Sequence, residues 1–206
     1  MTSSAILNNP NRVALLLMDF QNGVLDTIGD CDEVLSGAGA ALSWARRSEV
    51  QVAHVRVAFT ATDFDEVPSH NTALAPVALR RFLADNSAEA AIHARLAPLD
   101  NEIVVRKTRF GAFSTTDLHT ELLKRGIDTL VLAGVSTSGV VLSTAREAVD
   151  RDYHVHVLVD AVADHDPRTH HFLIEQLLPR STTMISTRDL PNYGGNGREA
   201  TPDKIS

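Results

Sequence analysis

Two ionisable side chains follow directly on apolar runs. Asp19 closes the run Arg12 to Met18 (RVALLLM), and Lys107 closes Glu102 to Arg106 (EIVVR). A carboxylate in such a place must be paired or solvated, because burying it alone is costly. Lys107 stands at the equivalent place on another apolar run and could be its partner. The pair reads in two ways: a general acid or base with its electrostatic partner, or a structural ion pair at a sheet edge. A third feature is the stretch from Ala133 to Ala148 (AGVSTSGVVLSTAREA). There an apolar run enters a turn with two glycines and a Ser-Thr-Ser triplet, and a helical pattern follows. A strand that opens a helix through such a turn offers unpaired backbone N–H groups to an anion or a carbonyl oxygen.

These residues need a scaffold that brings strand ends together. Apolar or β-branched runs at Arg12–Met18, Val50–Phe59, Glu102–Arg106, Asp128–Ala133, Tyr153–Val159 and Thr182–Ile185 predict six strands. Helical patterns fall between them. Val34–Arg47 contains Trp44, Thr115–Arg125 has Ser114 as N-cap and closes at Gly126, a third runs from the turn to Arg151, and Pro167–Leu178 has proline in its first turn. Strand and helix alternate through short links, which predicts an α/β fold with a mainly parallel sheet and helices on both faces. In such folds ligands bind at the carboxyl ends of the strands. The segment from Thr60 to Pro98 breaks the pattern with Pro68, Pro76 and Pro98. Ala78–Leu83 and Ala88–Leu96 look helical within it. It is either a substrate-covering excursion or plain surface connection.

Four motifs in order carry a resemblance to the isochorismatase-like hydrolases, the cysteine hydrolase family. Leu16-Leu17-Met18-Asp19-Phe20-Gln21-Asn22 is similar to the family's apolar-Asp-x-Gln-Asn opening. Lys107 to Phe113 (KTRFGAF) is similar to its lysine segment. Gly134-Val135-Ser136-Thr137 with Val141, Thr144 and Ala145 is similar to its Gly-Val-x-Thr-x-x-Cys-Val-x-x-Thr-Ala signature, and Asp160-Ala161 to its Asp-Ala. The resemblance implies a three-layer α/β/α Rossmann-like fold with a six-stranded sheet over residues 1–190 and a homodimer or larger homo-oligomer, while the Gly-, Asn- and charge-rich residues 191–206 read as a polar tail. It implies Asp19 and Lys107 as catalytic residues. It also implies a cis peptide between Val135 and Ser136, and an oxyanion cradle formed by Val135, Ser136, Gly139 and Val140.

The family's third catalytic residue is a cysteine, and its place in the signature falls on Val140. A valine cannot attack a carbonyl carbon, so the acyl-thioenzyme route is closed there. Ser136, Thr137, Ser138 and Ser143 lie nearby, but a hydroxyl needs a positioned base. Helix geometry that points position 140 into the site also turns 138 and 143 elsewhere. The family's true isochorismatases lack the cysteine too. They hydrolyse a vinyl ether with the aspartate proposed as general acid, and have glycine in the cysteine's place.

Other side chains are candidates for the substrate pocket. Phe20, Phe59, Phe110 and Phe113 cluster at strand ends with Gln21, and suit either a pocket for a small flat substrate or core packing. Arg109 could meet a substrate carboxylate or serve as a surface cation. The family's metal-binding Asp-x-His has Asp63-Phe64-Asp65 in its neighbourhood here, without histidine, so no metal and no cofactor are expected. A net charge of −7 argues against nucleic acid as a partner. No run approaches the roughly 18 apolar residues of a membrane span. The single cysteine, Cys31, excludes an internal disulfide, and the polar start of the chain lacks a signal-peptide layout, which points to the cytoplasm. The leading expectation is a small-molecule hydrolase without a cysteine nucleophile. Its rival is a non-catalytic ligand-binding protein on the same scaffold.

Overall fold

β1 (Val13–Met18) is buried along its whole length. Its side chains alternate between two cores. Ala14, Leu16 and Met18 enter one, and Val13, Leu15 and Leu17 the other. A strand apolar on both faces belongs in the middle of a parallel sheet covered by helices on both sides. The computed structural model describes residues 9–191 and shows that arrangement. β2 (Gln51–Val57), β3 (Ile103–Lys107), β4 (Thr129–Val135), β5 (His154–Ala163) and β6 (Thr183–Ile185) complete a sheet of order β3-β2-β1-β4-β5-β6. Every pairing is parallel. The polar tail expected at 191–206 lies, after Pro191, outside the described residues.

The chain order reverses between β1 and β4, which makes their carboxyl ends the switch point of the sheet. After β1 comes a single helical turn, α1 (Asn22–Leu25). α2 (Asp32–Arg47) covers one face with Val34, Leu35, Ala38, Ala41, Leu42 and Ala45. Its small residues let it lie close to β5. A Cβ at Gly37 would stand 1.9 Å from the carbonyl oxygen of Asp160. α5 (Leu118–Lys124), α6 (Leu142–Asp150) and the turn after α7 (Pro167–Phe172) cover the other face through Leu118, Leu122, Ala145, Ala148 and Leu173. The short helices α3 (Ala61–Asp65) and α4 (Ala75–Leu79) lie in the excursion after β2. Phe59, Phe64, Leu74 and Leu83 give that excursion a small core of its own.

Several boundaries differ from expectation. The 115–125 helix starts only at Leu118, and Ser114 is not its cap. Thr115 Oγ1 accepts the Thr108 N–H (3.0 Å), and Thr116 Oγ1 donates to the Ala112 carbonyl (2.6 Å), so local side-chain bonds hold this stretch as a turn. Of the two helical pieces expected in the excursion, the first is replaced by α4, which ends at Leu79. The second is laid out along the start of α1, where His93 N–H donates to the Phe20 carbonyl and Asn22 N–H to that of Ala91. Only Ala94–Leu96 keeps a helical turn. β5 runs on to Ala163 because its pairing with β4 shifts register between Leu132 and Gly134. Asp160 therefore lies inside the strand. It binds the Thr187 N–H and hydroxyl rather than marking the strand's end.

Candidate active site

Asp19 ends β1 in a left-handed conformation, with φ of 58°. Aspartate is among the few residues other than glycine that tolerate this region. The turn keeps its N–H on the Val55 carbonyl (2.8 Å), while its own carbonyl accepts the Gln21 N–H (2.8 Å). The side chain is 8% exposed.

Lys107 lies two strands away, at the end of β3. Two strand spacings are about 10 Å, a gap that its long stem spans. Lys107 Nζ donates to Asp19 Oδ2 at 2.8 Å and to the Arg109 carbonyl at 3.0 Å. Asp19 Oδ1 is buried and has no hydrogen-bond partner among the described residues. Burial pushes the Asp19 carboxyl above its ordinary range, and the Lys107 ammonium and, less strongly, the Val57 backbone pull it back only in part.

β4 delivers the third element. The peptide between Val135 and Ser136 is cis. A wide π-helical turn, Thr137–Val141, then leads into α6. Gly139 and Val141 N–H groups both donate to the Ser136 carbonyl at 3.2 Å. Ser138 N–H donates to Asp164 Oδ2 at 2.7 Å. The cradle expected from Val135, Ser136, Gly139 and Val140 thus has the Gly139 N–H committed internally. A side chain at position 139 would collide with Ser136 Oγ, 2.8 Å from an added Cβ, and would meet the Phe110 ring at 3.5 Å. Val140 is 2% exposed and packs in the core with Phe113 and Val141.

The candidate pocket residues separate into two groups. Phe20, Phe59 and Phe113 are buried in the cores, Phe59 stacked on Phe64 and Phe113 on Tyr153. Phe110 is 47% exposed beside Gly139. Gln21 is wholly buried and acts as a clamp. Its Nε2 donates to the carbonyls of Val57 and Ala90, and its Oε1 accepts the Val57 N–H, each at 2.8 Å. The excursion is thereby tied to the end of β2. Arg109 turns its guanidinium to the Thr108 carbonyl (2.7 Å). Asp63 caps α3 through Thr60 and pairs with Arg106. No group of three or more His, Cys, Asp or Glu side chains set to hold a metal occurs among the described residues.

The sequence reading missed Asp164 and His170. Both reach the turn from beyond β5, His170 through a 2.9 Å bond between its Nδ1 and Thr137 Oγ1. The apolar residues Ala161, Val162 and Ala163 were the available signal, since they extend the strand to end at Asp164.

The parallel sheet thus carries a buried carboxylate–lysine pair at the end of β1 and a turn at the end of the neighbouring strand β4. The Isochorismatase domain profile matches residues 13–189, and the chain belongs to the isochorismatase family of hydrolases. It is 32% identical over 187 residues to the uncharacterized isochorismatase family protein YecD of Escherichia coli O157:H7, covering 89% of this chain and 97% of that protein. It is 29% identical over 182 residues to the isochorismatase of Bacillus subtilis (strain 168), covering 88% of this chain and 58% of that one. Among solved structures, an isochorismatase family protein from Desulfovibrio vulgaris subsp. vulgaris str. Hildenborough is similar with a TM-score of 0.77 at 27% identity, over 87% of this chain and 96% of that one. A cysteine hydrolase from Pseudomonas syringae pv. phaseolicola 1448A has a TM-score of 0.81 at 22% identity, over 88% and 92%, a likeness of fold alone. Among the described residues, no helix is long and apolar enough to cross a membrane.

Proposed function

We propose that this protein hydrolyses a small molecule without a thiol nucleophile, with Asp19 as general acid and Lys107 as its electrostatic partner. The observation that carries the reading is the state of the Asp19 carboxyl. Lys107 holds Oδ2, Oδ1 is unpartnered among the described residues, and burial favours the protonated form. A proton on Oδ1 is then the one available for delivery. Val140 supports the same reading, since an aliphatic side chain stands where the family resemblance places the nucleophile.

An enol ether fits this chemistry. Asp19 gives its proton to the terminal carbon of the double bond, and water adds to the oxocarbenium carbon so formed. The proton shed by that water returns to Asp19, and the hemiketal collapses to a carbonyl compound and an alcohol. No covalent enzyme intermediate forms. Phe110, exposed beside Gly139, and its neighbour Arg109 are proposed to contact the substrate.

The test is turnover on vinyl ethers, amides and carbamates for wild type and Asp19→Asn across pH. A general acid works while protonated, so kcat/KM should fall as pH rises through the raised Asp19 pKa, about tenfold per pH unit beyond it. Asp19→Asn should lose about 100-fold or more at the plateau and lose that limb of the profile. Equal rates in both proteins would sink the assignment. A wild type inert on every probe would favour a ligand-binding protein on the same scaffold.

A further inference from the structure

We infer that Asp164 and His170 are positioning residues that hold the Thr137–Val141 turn against the reacting groups. The inference rests on the proposal that this turn faces the substrate. Neither residue was expected in the site, and neither belongs to the Asp19–Lys107 pair.

Within the turn, the nitrogens of Gly139 and Val141 share one acceptor, the Ser136 carbonyl, at 3.2 Å, and the Leu142 N–H closes it on the Thr137 and Gly139 carbonyls. Its two leading residues are held from outside, both by the segment that follows β5. Asp164 Oδ2 accepts the Ser138 N–H at 2.7 Å, and His170 Nδ1 is hydrogen-bonded to Thr137 Oγ1 at 2.9 Å. The Asp164 side chain is itself fully buried and fixed. Its Oδ1 pairs with His165 Nδ1 at 2.9 Å and accepts the Asp166 N–H at 3.3 Å. Asp166 in turn caps α7 through the N–H groups of Arg168 and Thr169, so His170 stands on a capped helix. A carboxylate accepting a backbone N–H makes a stronger bond than a neutral acceptor. Two consecutive residues are thus pinned immediately before Gly139 and Val140. Thr137 is wholly buried, so its hydroxyl serves as an anchor for the turn and not as a substitute nucleophile.

A misplacement of about 1 Å in a catalytic cradle costs about 100-fold in rate, so loosening this clamp should act on kcat rather than on binding. On a probe that wild type turns over, Asp164→Ala should lower kcat about tenfold or more with little change in KM. Asp164→Asn keeps an acceptor oxygen and should recover most of the loss. Asp160→Ala is the control for simple destabilisation. It lies in β5, which leads to Asp164, and removes bonds to Thr187 rather than to the turn. The second readout needs no substrate. Hydrogen exchange of residues 135–141 should quicken about tenfold in Asp164→Ala, and in neither Asp164→Asn nor Asp160→Ala. Faster exchange together with lowered kcat supports the inference. Unchanged exchange in Asp164→Ala overturns the clamp, whatever the activity. Faster exchange with unchanged kcat overturns the positioning role and leaves the hydrolase reading standing. A wild type inert on every probe removes the hydrolase reading and the catalytic part of this inference with it, and exchange then decides whether the clamp exists.

Discussion

Replacing His156 by leucine tests how much acid sensitivity one buried imidazole confers. His156 lies in β5 between Val131 of β4 and Thr183 of β6. It is 1% exposed, and its Nδ1 has no hydrogen-bond partner among the described residues. Burial, helped by the nearby His154, lowers its pKa from 6.5 to about 4. In the unfolded chain the same ring is protonated near its ordinary pKa. The folded state resists that proton, so the stability linked to this group is fully present above the unfolded pKa and is lost as pH falls toward the folded one. Linkage puts the loss at about 2 kcal/mol by about pH 5 and about 3 kcal/mol by about pH 4. Burial also lowers the pKa of His54 and of His170, so the wild-type curve alone mixes several groups. The difference between wild type and His156→Leu isolates one. Leucine has a similar volume and cannot titrate, so the two proteins should be close in stability near neutral pH. Urea unfolding at a series of pH values measures the gap. Wild type should lose about 2 kcal/mol relative to the variant between about pH 7.5 and about pH 5. Parallel pH dependence in the two proteins would refute the reasoning, since it would mean that His156 takes its proton as readily folded as unfolded.

Three further substitutions probe the scaffold and the site. Gly37→Ala would place a methyl group 1.9 Å from the Asp160 carbonyl oxygen, forcing α2 off β5. A loss of about 2–3 kcal/mol in urea unfolding is expected, and a neutral outcome would show that the helix can shift freely. Gln21→Ala removes three bonds and strands the Val57 N–H, with an expected cost of about 3 kcal/mol and faster proteolysis within residues 60–98. Val140→Cys, made with Cys31→Ser, should gain hydrolysis of activated esters that alkylation abolishes, because the pair and the turn remain in place. Absence of any gain would mean that position 140 is shut off from the substrate.

Much of the fold was legible because its signals are local. Runs such as Val13–Met18 are short, apolar throughout and flanked by turn residues, which favours buried strands over helices, and the proline and glycine punctuation between runs marks turns. Where local side-chain bonds compete with the helix pattern, as at Thr115 and Thr116, the pattern was misleading. The excursion from 60 to 98 was the least legible part. Its backbone follows long-range partners, above all Gln21, and such partners leave no periodicity.

The site divides along the same line. Residue types and strand ends put Asp19, Lys107 and the stretch from Ala133 to Ala148 among the candidates, because ligands in a parallel sheet bind where strands stop, and the family resemblance narrowed that stretch to Val135–Val140. That Lys107 reaches Asp19 depends on β3 lying two places from β1, an order set by non-local strand pairing. The protonation balance of Asp19 depends on burial outweighing the ammonium, which is a property of the packed interior. Asp164 and His170 gain their places through a register shift in β5 that carries the strand past Asp160. Chain neighbours set the alphabet of the site; distant backbone contacts set its geometry and its charge.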